Sequence, residues 1–477
     1  MLVQVTIENL LSFKEETTFS LRGVRRDEHH TNHLAIDAAG KGISVLPISA
    51  IYGANAAGKS NLIEAIGFAQ DLIVEGTRSD RLIPIAPFKL SNDRLSPSKI
   101  EFKFTHQGFL YSYGFKLNRE RIFEEWLDAT SLAGNKREKL VFERTTSEDK
   151  ETEVEFGTIL RGRSKKQAQF LEFVAQGTRP NQLFLTEAVE RNVEKLIPVI
   201  DWFRNSLTIV PADSKFRGLE LGVLNSKEFT HFLNEFLKLA DTGIASIGTE
   251  EIELDFDRHF PDIPNEIRED ILQSFLRADE DSLALIESNF VQYFIKKFKQ
   301  NQLKLIQLKT QHYDAKGNLV DFSLTEESEG TQRLIHLLPI LFMFQEEDSE
   351  KVVLLDELDR RLHPLLSRIL IELTLKCREA NNRNQLIFTT HDTNLLDLDL
   401  LRKDEIWFVE KDKRGESHLY SLAAFKNVEG LQIEKGYLNG RFGAIPFFGD
   451  IRHLNWLDCE SESSDNKNGK GNKDWSD

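Results

Sequence analysis

The chain moves between two hydrophobic rhythms, and each change of rhythm marks an element. Over the first 20 residues apolar positions recur at every second place, with Val3, Val5 and Ile7 on one face and Phe19 and Leu21 following a turn. That alternation predicts half-buried strands. Residues 24–45 are polar and irregular. An apolar run at 46–52 then precedes helical spacing at 61–67, which predicts a buried strand followed by a helix over about 59–75. From 87 to 155 the stretches IEFKF, FLYSYGFKL, RIFEEWLDA and KLVFER are separated by turn residues, as in an antiparallel sheet.

Between about 165 and 300 apolar residues fall three or four apart, as in Val193, Leu196, Ile197 and Ile200, then Phe229, Phe232, Phe236 and Leu237. This predicts a mainly helical insertion, interrupted by Pro261 and Pro264 and too short for a long coiled-coil arm. Residues 303–323 read as a hairpin turning at 315–318, and a helix follows Gly330. The runs 352–357 and 385–391 are continuously apolar and end in polar residues, as fully buried parallel strands do. From 461 the sequence SESSDNKNGKGNKDWSD has the composition of a disordered tail, and no internal repeat is visible. Four segments follow from this: 1–160, 161–300 as the helical insertion, 301–458, and a tail at 459–477.

Composition narrows the classes. With 477 residues and 40% hydrophobic content, the chain has material for two or three domains. A formal charge of −16 argues against a protein that coats nucleic acid. Only local patches such as RGRSKK at 161–166 and KKFK at 296–299 could contact phosphates, and such runs are ordinarily solvated faces. Cys377 and Cys459 have no pairing or zinc spacing. No apolar run reaches about 18 residues and the N-terminus lacks the layout of a signal peptide, so the expectation is a soluble cytoplasmic protein without a membrane span.

The chemistry begins at 53–60, GANAAGKS. Gly53, Ala54, Asn55, Ala56, Ala57, Gly58, Lys59, Ser60 and Asn61 run from the end of a strand into a helix. In that setting backbone N–H groups curl around a β-phosphate, Lys59 reaches the β and γ oxygens, and the Ser60 hydroxyl ligates Mg²⁺. At the end of the strand in VVLLDELDRRLHP (352–364), Asp356 is placed to hold Mg²⁺ beside Ser60, and Glu357 to act as general base toward the attacking water. LIFTTHDTN (386–394) ends a second buried strand at His391, where an imidazole can contact the γ-phosphate. SEGTQR (328–333) places Ser328 and Gly330 at a helix start, a place where anions bind.

The order of these pieces resembles the ABC ATPases related to SMC proteins, RecF and the OLD nucleases, as does the opening VTIENLLSF. DELDRRLHP, EIWFVEKDKRGESHLYSL and GYLNGRFGAIP more narrowly resemble the stand-alone ATPases of abortive-infection operons, the AbiL and RloA-like group and the ATPase subunit of the PARIS anti-phage system. The resemblance runs to about Pro446. It implies an α/β fold with an ABC-type nucleotide-binding domain, a mixed sheet with a phosphate loop, a flanking antiparallel β-subdomain and a mainly helical insertion. It implies the cofactors ATP and Mg²⁺, with Lys59 and Ser60 on the nucleotide, Asp356 on the metal, Glu357 activating water and His391 as the switch. Ser328 and Gly330 would then act on the ATP of a second subunit, so that the partners are a homo-oligomer, a separate effector protein from the same operon and a phage-derived trigger.

Three departures stand out. The signature reads ESEGT where many transporters have LSGGQ, so Glu329 replaces a glycine, and no glutamine marks a Q-loop. His363 and Pro364 stand where many relatives place an aspartate facing the partner subunit. Two other functions compete. A nuclease or repair ATPase acting on DNA would need clustered acids after Asp356, and Asp397 and Asp399 fit a solvated turn better. A transporter subunit conflicts with the insertion and the missing LSGGQ.

Overall fold

The computed structural model describes residues 1–446 apart from 25–29, 31–32, 37–43, 92–95, 134–136, 162–163, 217, 262, 278–282, 289–290, 298–301, 347–348, 377–382, 427 and 429–431. Cys377, Cys459, the tail at 459–477 and residues 162–163 and 298–299 of the basic stretches lie outside the described residues.

A six-stranded sheet positions the site. Its order is Leu207–Val210, Val352–Leu355, Gln385–Thr389, Ile48–Tyr52, Ile406–Lys411 and Ser417–Ser421. The first five strands run parallel and the last returns antiparallel as a hairpin. Successive side chains separate into two cores: Ile51, Val352, Leu354, Ile387 and Val409 enter one hydrophobic cluster, and Ala50, Val353, Leu355, Phe388 and Phe408 enter the other. Both faces are therefore dry, which is why the acidic and histidine strands read as continuous apolar runs instead of alternating ones.

The helix Lys59–Glu75 matches the expected span and ends at Gly76, whose φ of 69° breaks it. It buries Leu62, Ile63, Ile66, Ala69 and Ile73 in the first core. That core also holds residues of a seven-stranded antiparallel sheet, so the helix lies between two sheets. The antiparallel sheet runs Thr152–Phe156, Lys139–Thr146, Ile122–Ser131, Phe109–Leu117, Ser98–His106, Leu2–Glu8, Thr17–Ser20. It thus joins the strands expected from 87–155 to the alternating N-terminus. Lys227–Leu239, Glu329–Met343 and Pro364–Lys376 are among the helices that pack into the second core.

The 161–300 stretch is helical at Lys165–Gly177, Phe184–Glu190, Lys227–Leu239 and Asn265–Arg277, as its spacing predicts. It also supplies Leu207–Val210 to the parallel sheet, and Ser246–Glu253, Leu283–Ser288 and Val291–Lys297 to a third sheet with Leu303–Tyr313. Val291–Lys297 and Leu303–Tyr313 pair across residue 300. The physical reason is local: Leu207–Val210 has only four residues and directly follows the helical turn Trp202–Ser206, so no alternation of its own breaks the helical rhythm. The hairpin of Leu303–Tyr313 with Leu319–Ser323 turns where expected, closed by Asp314 N donating to Asn318 O at 2.8 Å. No helix among the described residues is long and apolar enough to cross a membrane.

Candidate functional site

Because five strands run parallel, the loops after their C-terminal ends meet along one edge, and ligands of such sheets bind there. The phosphate loop follows Ile48–Tyr52, the acids follow Val352–Leu355, and His391 follows Gln385–Thr389. Ala56 with φ 61° and Gly58 with φ 118° turn the loop, and Gly58 is the N-cap of the helix. The first turn of that helix carries no acidic residue, so its positive end is left for an anion. Gly53 has no room for a side chain, since a Cβ there would come within 2.4 Å of Val409 O. Asn55, Ala56 and Ser60 are exposed, whereas Ala57, Gly58 and Lys59 are buried.

Lys59 Nζ donates to Gly53 O at 2.9 Å and Ala54 O at 3.2 Å. Burial lowers its pKa to about 8, opposed by the charges of Asp356, Glu357 and Asp359. A desolvated ammonium bonded to carbonyls at an acid-free helix start fits a polyphosphate. Ser60 and Asp356 line one cleft of about 890 Å³ and together offer the hard oxygen donors that Mg²⁺ prefers.

Thr389 ties the two acids together. Its Oγ1 donates to Asp356 Oδ1 at 2.6 Å and accepts from Glu357 N at 2.8 Å. Glu357 sits at φ 51°, and its carboxylate accepts from Arg360 Nη1 at 3.1 Å. Arg360 Nη2 is also 2.8 Å from Asp213 Oδ1. Beneath them the buried Arg333 reaches Asp356 O and Glu357 O at 3.5 Å and Ser214 O at 3.4 Å. Thr389→Val keeps the shape but removes the bond to Asp356 and leaves Glu357 N–H without an acceptor. It is expected to cost about 1–3 kcal/mol of stability, read by denaturant unfolding, and to raise the Mg²⁺ needed for nucleotide binding.

His391 N donates to both Asp359 oxygens at 3.3 Å. Partial desolvation, then the nearby Lys59 charge, lowers its pKa below the usual imidazole value, which favours the neutral ring with its one donor and one acceptor. Lys59, Asp356, Glu357, Asp359 and His391 thus form one electrostatic group. Ser328 and Gly330 lie at the start of the helix whose Arg333 touches Asp356 O and Glu357 O. The exposed Ser328 caps Glu329–Met343, accepting from Thr331 N at 3.1 Å, and a Cβ on Gly330 would come within 2.7 Å of Arg361 O. Glu329 pairs with Arg361 Nε at 3.2 Å, which neutralises an acid at this helix N-terminus. Among the described residues, the hydrogen bonds of the Ser328 side chain stay within its own helix start, at Thr331.

Several residues of the site carry no motif. Asp213 and Ser214 follow Leu207–Val210, the strand beside the acidic one. Arg333, Asp359 and Arg360 fall inside SEGTQR and VVLLDELDRRLHP without a role read for them there, and Thr389 is a polar residue inside an apolar strand whose bond to Asp356 needs the fold. His363 caps the next helix through its Nδ1, 3.2 Å from Leu365 N. Asp397 binds Arg368 at 2.9 Å, as a surface turn would.

A family model described as "AAA domain, putative AbiEii toxin, Type IV TA system" matches residues 48–397, from the phosphate-loop strand to just past His391. Among solved structures, the SMC head domain from Thermotoga maritima is similar at 14% identity and a TM-score of 0.34, covering 88% of this chain and 98% of its own. A structure of the recombination mediator protein RecF-ATPrS in the RecFOR pathway is similar at 15% identity and a TM-score of 0.30, with the same coverages of 88% and 98%. No curated protein matches the chain.

Proposed function

This chain belongs to the AAA-domain family whose model spans residues 48–397, and from that premise we propose that it hydrolyses ATP with Mg²⁺ and uses the nucleotide to join copies of itself. The observation that carries the proposal is the division of the site. One edge of the sheet gathers Lys59, Ser60, Asp356, Glu357 and His391, whereas Ser328 opens an exposed helix N-terminus and its side chain bonds only within that helix start among the described residues. In this reading Lys59 and the loop amides bind the phosphates, Ser60 and Asp356 hold the metal, and Glu357 orients the attacking water. His391 contacts the γ-phosphate from the neighbouring strand end. Bound Mg²⁺ would supply charge neutralisation at the transferring phosphoryl group. Ser328 and Gly330 of a second copy would complete the site.

The family description names a toxin of a toxin–antitoxin system, which supports a role in abortive-infection defence of the AbiL, RloA or PARIS type. The chain would then be the nucleotide-driven sensor that holds, releases or activates an effector encoded beside it, in response to a phage-derived trigger. The test of assembly is mass measured by light scattering with and without Mg·ATP. ATP should raise the mass to at least a dimer, and Ser328→Arg should leave ATP bound to a monomer. An unchanged mass, with turnover per chain independent of protein concentration, would reject the composite site.

A further inference from the structure

Ser12 and Ser417 lie outside the family-matched stretch, one before and one after it, and both touch the phosphate loop. Ser12 belongs to the turn after the first strand of the antiparallel sheet, and Ser417 begins the edge strand Ser417–Ser421 of the parallel one. They are 6% and 1% exposed, which leaves their hydroxyls to be satisfied by protein groups. Ser417 Oγ donates to Ala57 O at 2.6 Å and lies 2.7 Å from Ser12 Oγ. Asn61 Nδ2 donates to Ser12 Oγ at 2.7 Å, and Ser417 N donates to Ser12 O at 2.8 Å.

Ser417 Oγ thus has two acceptors in reach of its one proton, Ala57 O and Ser12 Oγ, and Ser12 Oγ accepts from Ser417 and from Asn61 Nδ2. Asn61, Ser12, Ser417 and Ala57 O form one hydrogen-bonded cluster. Gly58 is pressed against it: a Cβ there would come within 2.4 Å of Ser417 Oγ and 2.8 Å of Ser12 Oγ.

We infer that Ser12 and Ser417 are positioning residues that orient the Ala57–Gly58 peptide for phosphate. The peptide is trans, so its C=O and N–H point in opposite directions. Holding Ala57 O against Ser417 turns Gly58 N–H away from the serines, into the loop where the β-phosphate sits in the proposed function, on which this inference rests. Glu15 N donates to Glu416 Oε1 at 3.2 Å and fastens the same turn to the same hairpin. The loop is thereby held by elements from both ends of the chain.

The experiment measures equilibrium binding of a fluorescent ATP analogue, steady-state turnover and ligand-free thermal stability for the full chain, Ser417→Ala, Ser12→Ala and the double variant. Ser417→Ala should weaken Mg·ATP binding and raise KM about five- to tenfold while kcat falls less than twofold, the loss of one hydrogen bond's orientation. The double variant should bind no more weakly than Ser417→Ala, because Ser12 meets the loop carbonyl only through Ser417. A ligand-free melting temperature within a few degrees of the parent separates positioning from support of the fold. Wild-type affinity in Ser417→Ala, or a lowered melting temperature with KM unchanged, overturns the inference. If Ser417→Ala does not fold, Ser12→Ala puts the same hydrogen-bonded cluster to the same measurements. Failure of the unmutated chain to bind ATP would instead sink the proposed function and this inference with it.

Discussion

Lys59→Ala is expected to weaken ATP binding about 30- to several-thousand-fold, while leaving the ligand-free protein as stable as the parent or slightly more so. Two opposing consequences of burial lead to this. In the free protein the ammonium is 5% exposed and bonded to Gly53 O and Ala54 O, and its pKa has fallen to about 8, so the folded state already disfavours its charge. Removing it deletes that desolvation cost and leaves two carbonyls short of a donor, changes of opposite sign and similar size. In the bound state the same charge faces phosphate oxygens, and truncating one partner of such a pair costs about 2–5 kcal/mol, roughly 30- to several-thousand-fold in affinity. Isothermal titration of Mg·ATP against the variant, alongside its ligand-free melting curve, checks both halves. Binding within a factor of about three of the parent would remove Lys59 from the phosphate site.

The parts of this site that could be read in the sequence are those that act locally. GANAAGKS works through its own backbone: glycine φ values, a helix start and a lysine within one turn are all encoded within eight consecutive residues. The acidic and histidine strands were visible for a related reason, since burial on both faces forces an uninterrupted apolar run with its chemistry at the end. What holds those groups in place was not visible, because it depends on pairing between distant segments. Thr389 reaches Asp356 only because two parallel strands are in register, and Ser417 meets Ser12 across 405 residues. The strand Leu207–Val210 shows the same limit at the level of fold. Four residues beside a helical turn have no rhythm of their own, yet they place Asp213 against Arg360. The signature was half legible: Ser328 as a helix cap follows from its position, whereas the neutralisation of Glu329 by Arg361 needed the fold.

Glu357→Gln is expected to separate binding from turnover. The substitution keeps volume and one carbonyl oxygen, so Arg360 retains an acceptor, and the change in that ion pair is small because Glu357 is one-third exposed there. Asp356, Ser60 and Lys59 are untouched, so Mg·ATP should bind at least as tightly as to the parent. What disappears is a carboxylate able to take a proton from water, and losing a positioned base lowers the chemical step about 10²–10⁴-fold. If ATP joins two copies through Ser328, slow hydrolysis must also lengthen the life of the joined state, since the bond between copies is the uncleaved nucleotide itself. The variant should therefore elute as a stable oligomer with intact ATP after one mixing step, where the parent passes through the same species and returns to monomer as phosphate is released. Phosphate release and mass followed on one sample distinguish the outcomes. Undiminished release would show that Glu357 is not the base. Slowed release without a lasting oligomer would leave the base assigned and show that ATP is a substrate here without being the joint between subunits.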